Sequence, residues 1–451
     1  MAMMIDAVRL AVEALALVEG RRKSERLALM EAMEKLGIRD QEAIGLAHRL
    51  VVETLRRLNL VDELIKLALN ENGDVGPGEL KPRTMAFLRL FAYRAVIEEA
   101  DMGELINFVR AGREALGRGA LRPIERALGR CTTLSIKDAL SGKHGDERLA
   151  LELGVPVWLI GQLSRSLGRQ MALAVLRACM TRQPTYVRLN TLKGPEEEIL
   201  RELESEGVEL EPVEGLRHIY EVVASEKPLV LTDAHRRGLF YIQDKASCLA
   251  VELSGPEPGQ AVLDVCAAPG AKTSHMAQLM GNRGLIVSVD FSERRMRAWA
   301  ALMDKLGVRI AVPILADARF PLPLRLRADL VLLDPPCTST GAFARAPSAK
   351  WRLSPRSARN MARVQARLLE ASAQHVRPGG ALIYATCSLL VEENELVVER
   401  FLRVHPEFEL EPLDWPGGCP GLRGLDGCLR LYPHLHACDG YFIAKLRRAQ
   451  P

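Results

Sequence analysis

Apolar residues in the first 145 positions recur at spacings of three and four. DAVRLAVEALALV, EAIGLAHRLVVETLRRLNLVDELIKLAL and PRTMAFLRLFAYRAVIE all carry this helical period. Strand-like alternation is missing there, which predicts an all-helical domain over residues 1–145 with its own core. The N-terminus, MAMMIDAVRLAVEALALVEG, holds Asp6, Glu13 and Glu19 and lacks a basic leader. It reads as an amphipathic helix, not a signal peptide. LSGKHGDE, at 140–147, is polar and contains glycine, and reads as a linker.

Helical segments follow in LALELGVPVWLIGQLSRSLG and QMALAVLRACM, and the pattern changes after Pro184. TYVRLNTLK (185–193) has the look of a strand, GPEEEILRELESEG of a helix, and short strands continue to about 240. Residues 146–255 are therefore expected to hold a helical linker and a small α/β module. From 256 to 451, short runs rich in Val, Ile and Leu alternate with helical stretches. The runs are AVLDVC, LIVSVD, IAVPILAD, DLVLLD and ALIYATCS. Near-continuous apolar strands imply burial on both faces, hence an α/β, doubly wound, mainly parallel sheet.

Composition adds exclusions. The 451 residues are 48% hydrophobic and 26% charged, which excludes disordered and fibrous classes. With 61 Lys+Arg against 57 Asp+Glu, only a local basic cluster could argue for nucleic acid. No apolar run reaches the ~20 residues of a membrane helix. The nine cysteines are scattered, which favours the cytosol over a disulfide scaffold. Cys419, Cys428 and Cys438 flank His434 and His436, but no C-x-x-C pair is present, so no metal site is expected.

The first strand of the α/β region runs into CAAPGAKTSHMAQLM, 266–280. Gly270 and its small neighbours allow close backbone approach, and Thr273 or Ser274 could cap the next helix. This matches neither a phosphate-binding P-loop nor the dinucleotide G-x-G-x-x-G pattern. Asp290, Asp317 and Asp334 close three successive strands. Acids in register after a glycine turn suit a nucleoside in the crevice better than three unrelated solvated turns. His275 reads as a packed or surface histidine, and Met296 and Trp299 as core. Cys337, in the rigid DPPCTSTG turn, and Cys387, in ATCSLLVEENE, both end strands beside the same crevice.

Taken together, CAAPGAKT, DPPCTSTG and ATCS resemble the signature motifs of RNA (cytosine-5) methyltransferases of the RsmB/Sun and Nol1/Nop2 type. The resemblance extends through FYIQDKASCLAVEL and YPHLHACDGYFIAKL. VRLNTLK resembles the family's small RNA-binding module, and the N-terminal helices resemble the domain shared with the antitermination factor NusB, which points to the RsmB/Sun branch. Two departures stand out: Ala271 replaces a usual second glycine, so it must keep a negative φ, and the second motif reads D-P-P-C rather than D-A-P-C.

The resemblance implies S-adenosylmethionine as donor (S-adenosylhomocysteine as product), held along Cys266, Ala267, Ala268, Pro269, Gly270, Ala271 and Lys272 and by Asp290, Asp317 and Asp334. It implies Cys387 as the thiol that attacks carbon 6 of cytosine, Cys337 as the residue that helps release product, and Asp334 on the base edge. Lys272 would stabilise the thiolate or orient the base. Covalent activation of this kind suits cysteine, because carbon 5 of cytosine is a poor nucleophile by itself.

The target base must leave its stack, so single-stranded or flipped RNA is expected. Between Asp334 and Glu370 there is no acid, while Arg345, Lys350, Arg352, Arg356, Arg359, Arg363 and Arg367 are present. Arg345, Lys350, Trp351 and Arg352 are read as RNA contacts, and Arg363 and Arg367 as a solvated helix face. Arg122, Arg126 and Arg130 also read as a solvated face. The RsmB/Sun branch suggests small-subunit rRNA, with tRNA next, a monomer, and no membrane. Two other classes compete. A non-catalytic RNA-binding factor with a relic fold should have lost one of Asp334, Cys337 or Cys387. An amino-group or DNA methyltransferase would not need both cysteines or the RNA module.

Overall fold

The computed structural model describes residues 1–21, 23–69 and 76–450. The chain forms two compact units: Met1–Thr181 with Phe343–Leu353, and Arg182–Ala342 with Ser354–Pro451.

The first unit is helical, and no strand precedes Tyr186 among its described residues. The Gln41–Arg56 helix shows how its sequence specifies it. Asp40 caps it, its carboxylate accepting from the Ala43 N–H at 2.7 Å. Ala43, Ala47, Leu50 and Leu55, spaced by three to five, form its fully buried stripe. The expected linker at 140–147 does not end this unit, which runs on to Thr181. The reason is packing: a helix starts at Gly145, and Asn59 donates to the carbonyls of Ala150 and Val155 at 2.6 and 3.2 Å. Among the described residues no helix is long and apolar enough to cross a membrane.

The second unit holds two sheets. β1 (Tyr186–Leu189), β2 (Val208–Pro212), β3 (Ile219–Ser225) and β4 (Phe240–Ile242) form an antiparallel sheet in the order β2-β3-β1-β4. β1 is buried along its whole length. Arg188 is 1% exposed and donates to Ser274 Oγ at 2.7 Å, and Asn190 donates to the carbonyls of Gly238 and Leu306.

The larger sheet is built on β5 (Ala261–Val265), β6 (Leu285–Asp290), β7 (Ala311–Leu315), β8 (Ala328–Leu333) and β9 (Val376–Thr386), which run parallel in the order β9-β8-β5-β6-β7. β13 (Tyr441–Arg448) joins antiparallel to β9, and β10 (Phe408–Glu411), β11 (Cys419–Pro420) and β12 (Leu429–Leu431) complete the edge. This is the expected Rossmann-like methyltransferase sheet. Strand order reverses between β5 and β8, so a crevice opens beyond their carboxyl ends. Cys266 follows β5, Asp334 follows β8 and Cys387 follows β9.

Candidate active site

The turn after β5 works through backbone shape. Gly270 adopts φ +111°, a conformation that strains any residue with a Cβ, so the turn calls for glycine. Gly270 itself is the N-cap of the Ala271–Leu279 helix, and Ala271 keeps a negative φ as the turn requires. The expected caps Thr273 and Ser274 therefore lie inside the helix. Thr273 donates to the buried Asp264 carboxyl at 2.5 Å, and Ser274 accepts from Arg188. Burial pushes Asp264 up to about 7. His275 is fully buried and pushed down to about 4 by burial, in keeping with a packed histidine. Trp299 and Met296 are core, clustered with Ala267 and Ala268.

A cavity of about 240 Å³ opens beside this turn, lined by Cys266, Asp290, Phe291, Asp317 and Pro336 and floored by Met361, Val364 and Leu368. Asp290 is 3% exposed. Its Oδ1 accepts from the Ser292 N–H at 3.0 Å, whereas its buried Oδ2 has no aligned hydrogen bond, although Arg295 lies 3.1 Å away. A buried carboxylate oxygen left short of donors fits a hydroxyl-bearing ligand such as a ribose. Asp317 at the rim is paired with Arg319, whose hydrogen bonds hold its carboxyl below the usual range. Of Cys266–Lys272, only Cys266 lines this cavity. Ala267 and Ala268 are buried against the neighbouring helix, and Lys272 points elsewhere.

Lys272 donates to Asp334 Oδ2 at 2.5 Å. Burial disfavours its charge, but Asp334 and Tyr441 outweigh that and raise it well above the usual lysine value. The Tyr441 ring lies 5.8 Å from the ammonium. Cys337 and Cys387 meet across the end of the sheet with their sulfurs 3.2 Å apart, and Cys387 also approaches Ser339 Oγ at 3.6 Å. The hydrogen bond to Cys387, followed by burial, lifts the Cys337 thiol well above its ordinary value.

Sequence reading missed the residue that fixes both cysteine turns. Glu393 is fully buried and accepts from the Thr338 N–H and Gln365 Nε2 at 2.9 Å, from Ser388 Oγ at 2.5 Å and from the Thr338 hydroxyl. Thr338 adjoins Cys337 and Ser388 adjoins Cys387. The only sequence signal was the polar run EENE a few residues after Cys387, with hydroxyl residues beside each cysteine. The turns also meet through backbone: the Gly341 N–H donates to the Cys387 carbonyl at 3.0 Å, and a Cβ on Gly341 would strike Gly440 O at 1.9 Å.

The expected RNA contacts at Lys350 and Trp351 are corrected. Both side chains are spent inside the helical unit: Lys350 is 1% exposed and donates to the Arg56 carbonyl at 2.9 Å, and Trp351 donates to the Leu55 carbonyl at 2.6 Å. Arg345 is exposed, as a surface contact requires, whereas Arg352 is half-buried and turns back toward Ser348. Arg356, Arg359, Arg363 and Arg367 are exposed along the Pro355–Ala373 helix, which Ser354 caps and Pro355 starts as the sequence suggests. Among the described residues no group of three or more His, Cys, Asp or Glu could hold a metal ion. His436 instead bonds the backbone of Tyr432 and Gly417.

Comparison places these features in a family. The model of 16S rRNA methyltransferase RsmB/F matches residues 251–447, and that of the RsmF/B-like ferredoxin-like domain matches 155–219. The chain is 29% identical to the probable ribosomal RNA small subunit methyltransferase B of Bacillus subtilis, over 97% of this chain and 98% of that protein. It is 33% identical to the 25S rRNA (cytosine-C(5))-methyltransferase nop2 of Schizosaccharomyces pombe, over 59% of this chain and 46% of that protein. The solved structure of PH0851 superposes with a TM-score of 0.83 at 31% identity, covering 98% of this chain and 99% of that one. With its sheet, its cofactor turn and its paired cysteines in place, the chain belongs to the RsmB/F family of RNA methyltransferases.

Proposed function

We propose that this chain transfers a methyl group from S-adenosylmethionine to carbon 5 of a cytosine in small-subunit rRNA, in the cytosol, through a covalent adduct at Cys387. The observation that carries this reading is the pair of thiols 3.2 Å apart beside a lysine–carboxylate pair. Amino-group methylation needs no nucleophile, and one cysteine would serve attack without serving release.

Asp290 would hold the donor's ribose, with Asp317 and the apolar wall of the 240 Å³ cavity at its base. Bound S-adenosylmethionine supplies an electrophilic methyl group. The hydrogen bond to Cys387 and burial favour the protonated form of Cys337, and Cys387 is taken as the attacking sulfur, the role that the family resemblance implies for it. Cys387 sulfur bonds carbon 6, and the displaced electron pair is received at ring nitrogen 3, where a proton lies between the base and Asp334. Lys272 holds Asp334 in place by its ion pair. The enamine then places its electrons at carbon 5, which takes the methyl group. Once Cys387 is bound to carbon, its influence no longer raises Cys337. Cys337 can then lose its proton to solvent and take the one on carbon 5. The double bond re-forms and Cys387 leaves as thiolate.

In this reading the exposed row Arg356, Arg359, Arg363 and Arg367 supplies phosphate contacts, since the opposite face of the same helix floors the donor cavity through Met361, Val364 and Leu368. The helical unit, NusB-like in its sequence, is a further RNA- or protein-binding element. The test is incubation with S-adenosylmethionine and unmethylated small-subunit rRNA or tRNA, followed by mapping of 5-methylcytosine. The expected product is 5-methylcytosine in the rRNA. Donor binding without methylation of either RNA would overturn the reading, and methylation of tRNA alone would move the substrate.

A further inference from the structure

The Gln41–Arg56 helix ends without a glycine cap, and the next helix begins at Leu58. An α-helix leaves its last carbonyls without intrahelical partners. Here two of them are satisfied from almost 300 positions away. The Leu55 carbonyl takes the Trp351 indole N–H at 2.6 Å, and the Arg56 carbonyl takes the Lys350 ammonium at 2.9 Å. Arg56 answers in the other direction: its guanidinium is buried and donates to the Ala344 carbonyl at 3.0 Å. Ser348, fully buried, donates to Glu25. Residues 343–353 are thus a strap clamped at both ends inside the helical unit.

This strap is continuous with the catalytic turn. Cys337 lies six residues before its first residue, and in between Gly341 is held by the Cys387 and Gly440 backbones. A chain segment pinned first at Gly341 and again along the strap has little slack on the C-terminal side of the reactive thiol. Lys350 makes its bond without a carboxylate partner, so the strap costs the fold a buried ammonium. Burial lowers Lys350 to about 7. A feature of this kind is expected where geometry, more than stability, is required.

We propose that Lys350 and Trp351 are positioning residues for Cys337, and that through the strap the helical unit governs release of the methylated base rather than donor binding or methyl transfer. The proposal rests on the assignment of Cys337 to adduct breakdown. Neither residue touches substrate. Each holds the strap, and the strap continues directly into the turn.

The experiment uses the full chain with Trp351→Phe and, separately, Lys350→Met, each checked for folding by thermal melting. Methyl transfer in a single turnover, steady-state turnover, the covalent RNA–protein band on denaturing gels and S-adenosylhomocysteine affinity are measured. The expected result is an unchanged donor affinity and first methylation, turnover slowed about ten-fold, and an accumulated covalent band. A role in fold support alone would lower both rates together and leave no band, which overturns the proposal. Wild-type turnover in either folded variant also overturns it. If Trp351→Phe does not fold, Lys350→Met decides. Cys337→Ala runs alongside: if it shows no band, the assignment of Cys337 has failed, and the strap's role in release fails with it. A band in Cys337→Ala but none in the strap variants sinks the strap alone.

Discussion

The sulfurs of Cys337 and Cys387 lie 3.2 Å apart although 50 residues separate them in the chain. Two strand ends and one buried carboxylate bring them together. The neighbours of both cysteines bond Glu393, so the geometry is set by the scaffold as much as by the reactive groups.

Glu393→Ala is expected to lower stability by about 3 kcal/mol, because it strands several buried donors at once. Activity should fall further than stability explains, since both cysteine turns lose their common anchor. Chemical denaturation paired with single-turnover methylation checks this. A variant that loses stability but keeps full activity would show that Glu393 supports the fold and not the site.

Asp290→Ala should weaken S-adenosylhomocysteine binding by roughly ten- to a hundred-fold, the loss of one or two hydrogen bonds to a charged acceptor. At saturating donor the methylation rate should remain close to wild type. Calorimetric titration measures the first and saturation kinetics the second. Unchanged affinity would place the donor's ribose elsewhere.

Lys350 makes stability depend on pH in a direction opposite to most lysines. Burial, helped by the neighbouring charges of Arg56 and Arg57 and opposed by Cys179 and Glu53, brings its folded value to about 7, below the unfolded value of 10.5. Between those pH values the unfolded chain binds one proton more, so this group's contribution to stability rises with pH. The slope approaches about 1.4 kcal/mol per unit inside the window. Lys350→Met should remove that rise. Denaturation series at pH 7, 8 and 9 on both proteins check it, and parallel curves would contradict it.

Neutralising Arg356, Arg359 and Arg363 together by glutamine should weaken RNA binding and flatten its dependence on salt by about one slope unit per lost phosphate contact. Donor affinity should not change. Filter binding over a salt series reads both effects. An unchanged slope would return this row to the role of a solvated face.

Much of this was legible in the chain. β6 spans the expected LIVSVD, Ser354 and Pro355 open their helix, and the Gly270 turn needs the backbone that its sequence suggests. These features are local, written in apolar period, caps and turn residues. Lys350 and Trp351 were misread because their partners, the carbonyls of Arg56 and Leu55, are distant in sequence and have no side-chain signature. A basic, acid-free stretch looks alike whether it meets phosphate or a helix end. The burial of Arg188 is hidden for a similar reason: its partner, Ser274 Oγ, is distant in the chain. Glu393 gave too little signal because its donors come from two separate turns.

The most direct test of the central claim compares Cys337→Ala with Cys387→Ala, each incubated with labelled S-adenosylmethionine and unmethylated rRNA and run on denaturing gels. The account predicts a labelled covalent RNA–protein band with Cys337→Ala and none with Cys387→Ala. A band in Cys387→Ala alone would mean that the two thiols have the reverse roles. Methylated RNA from Cys387→Ala without any band would contradict covalent catalysis at this site.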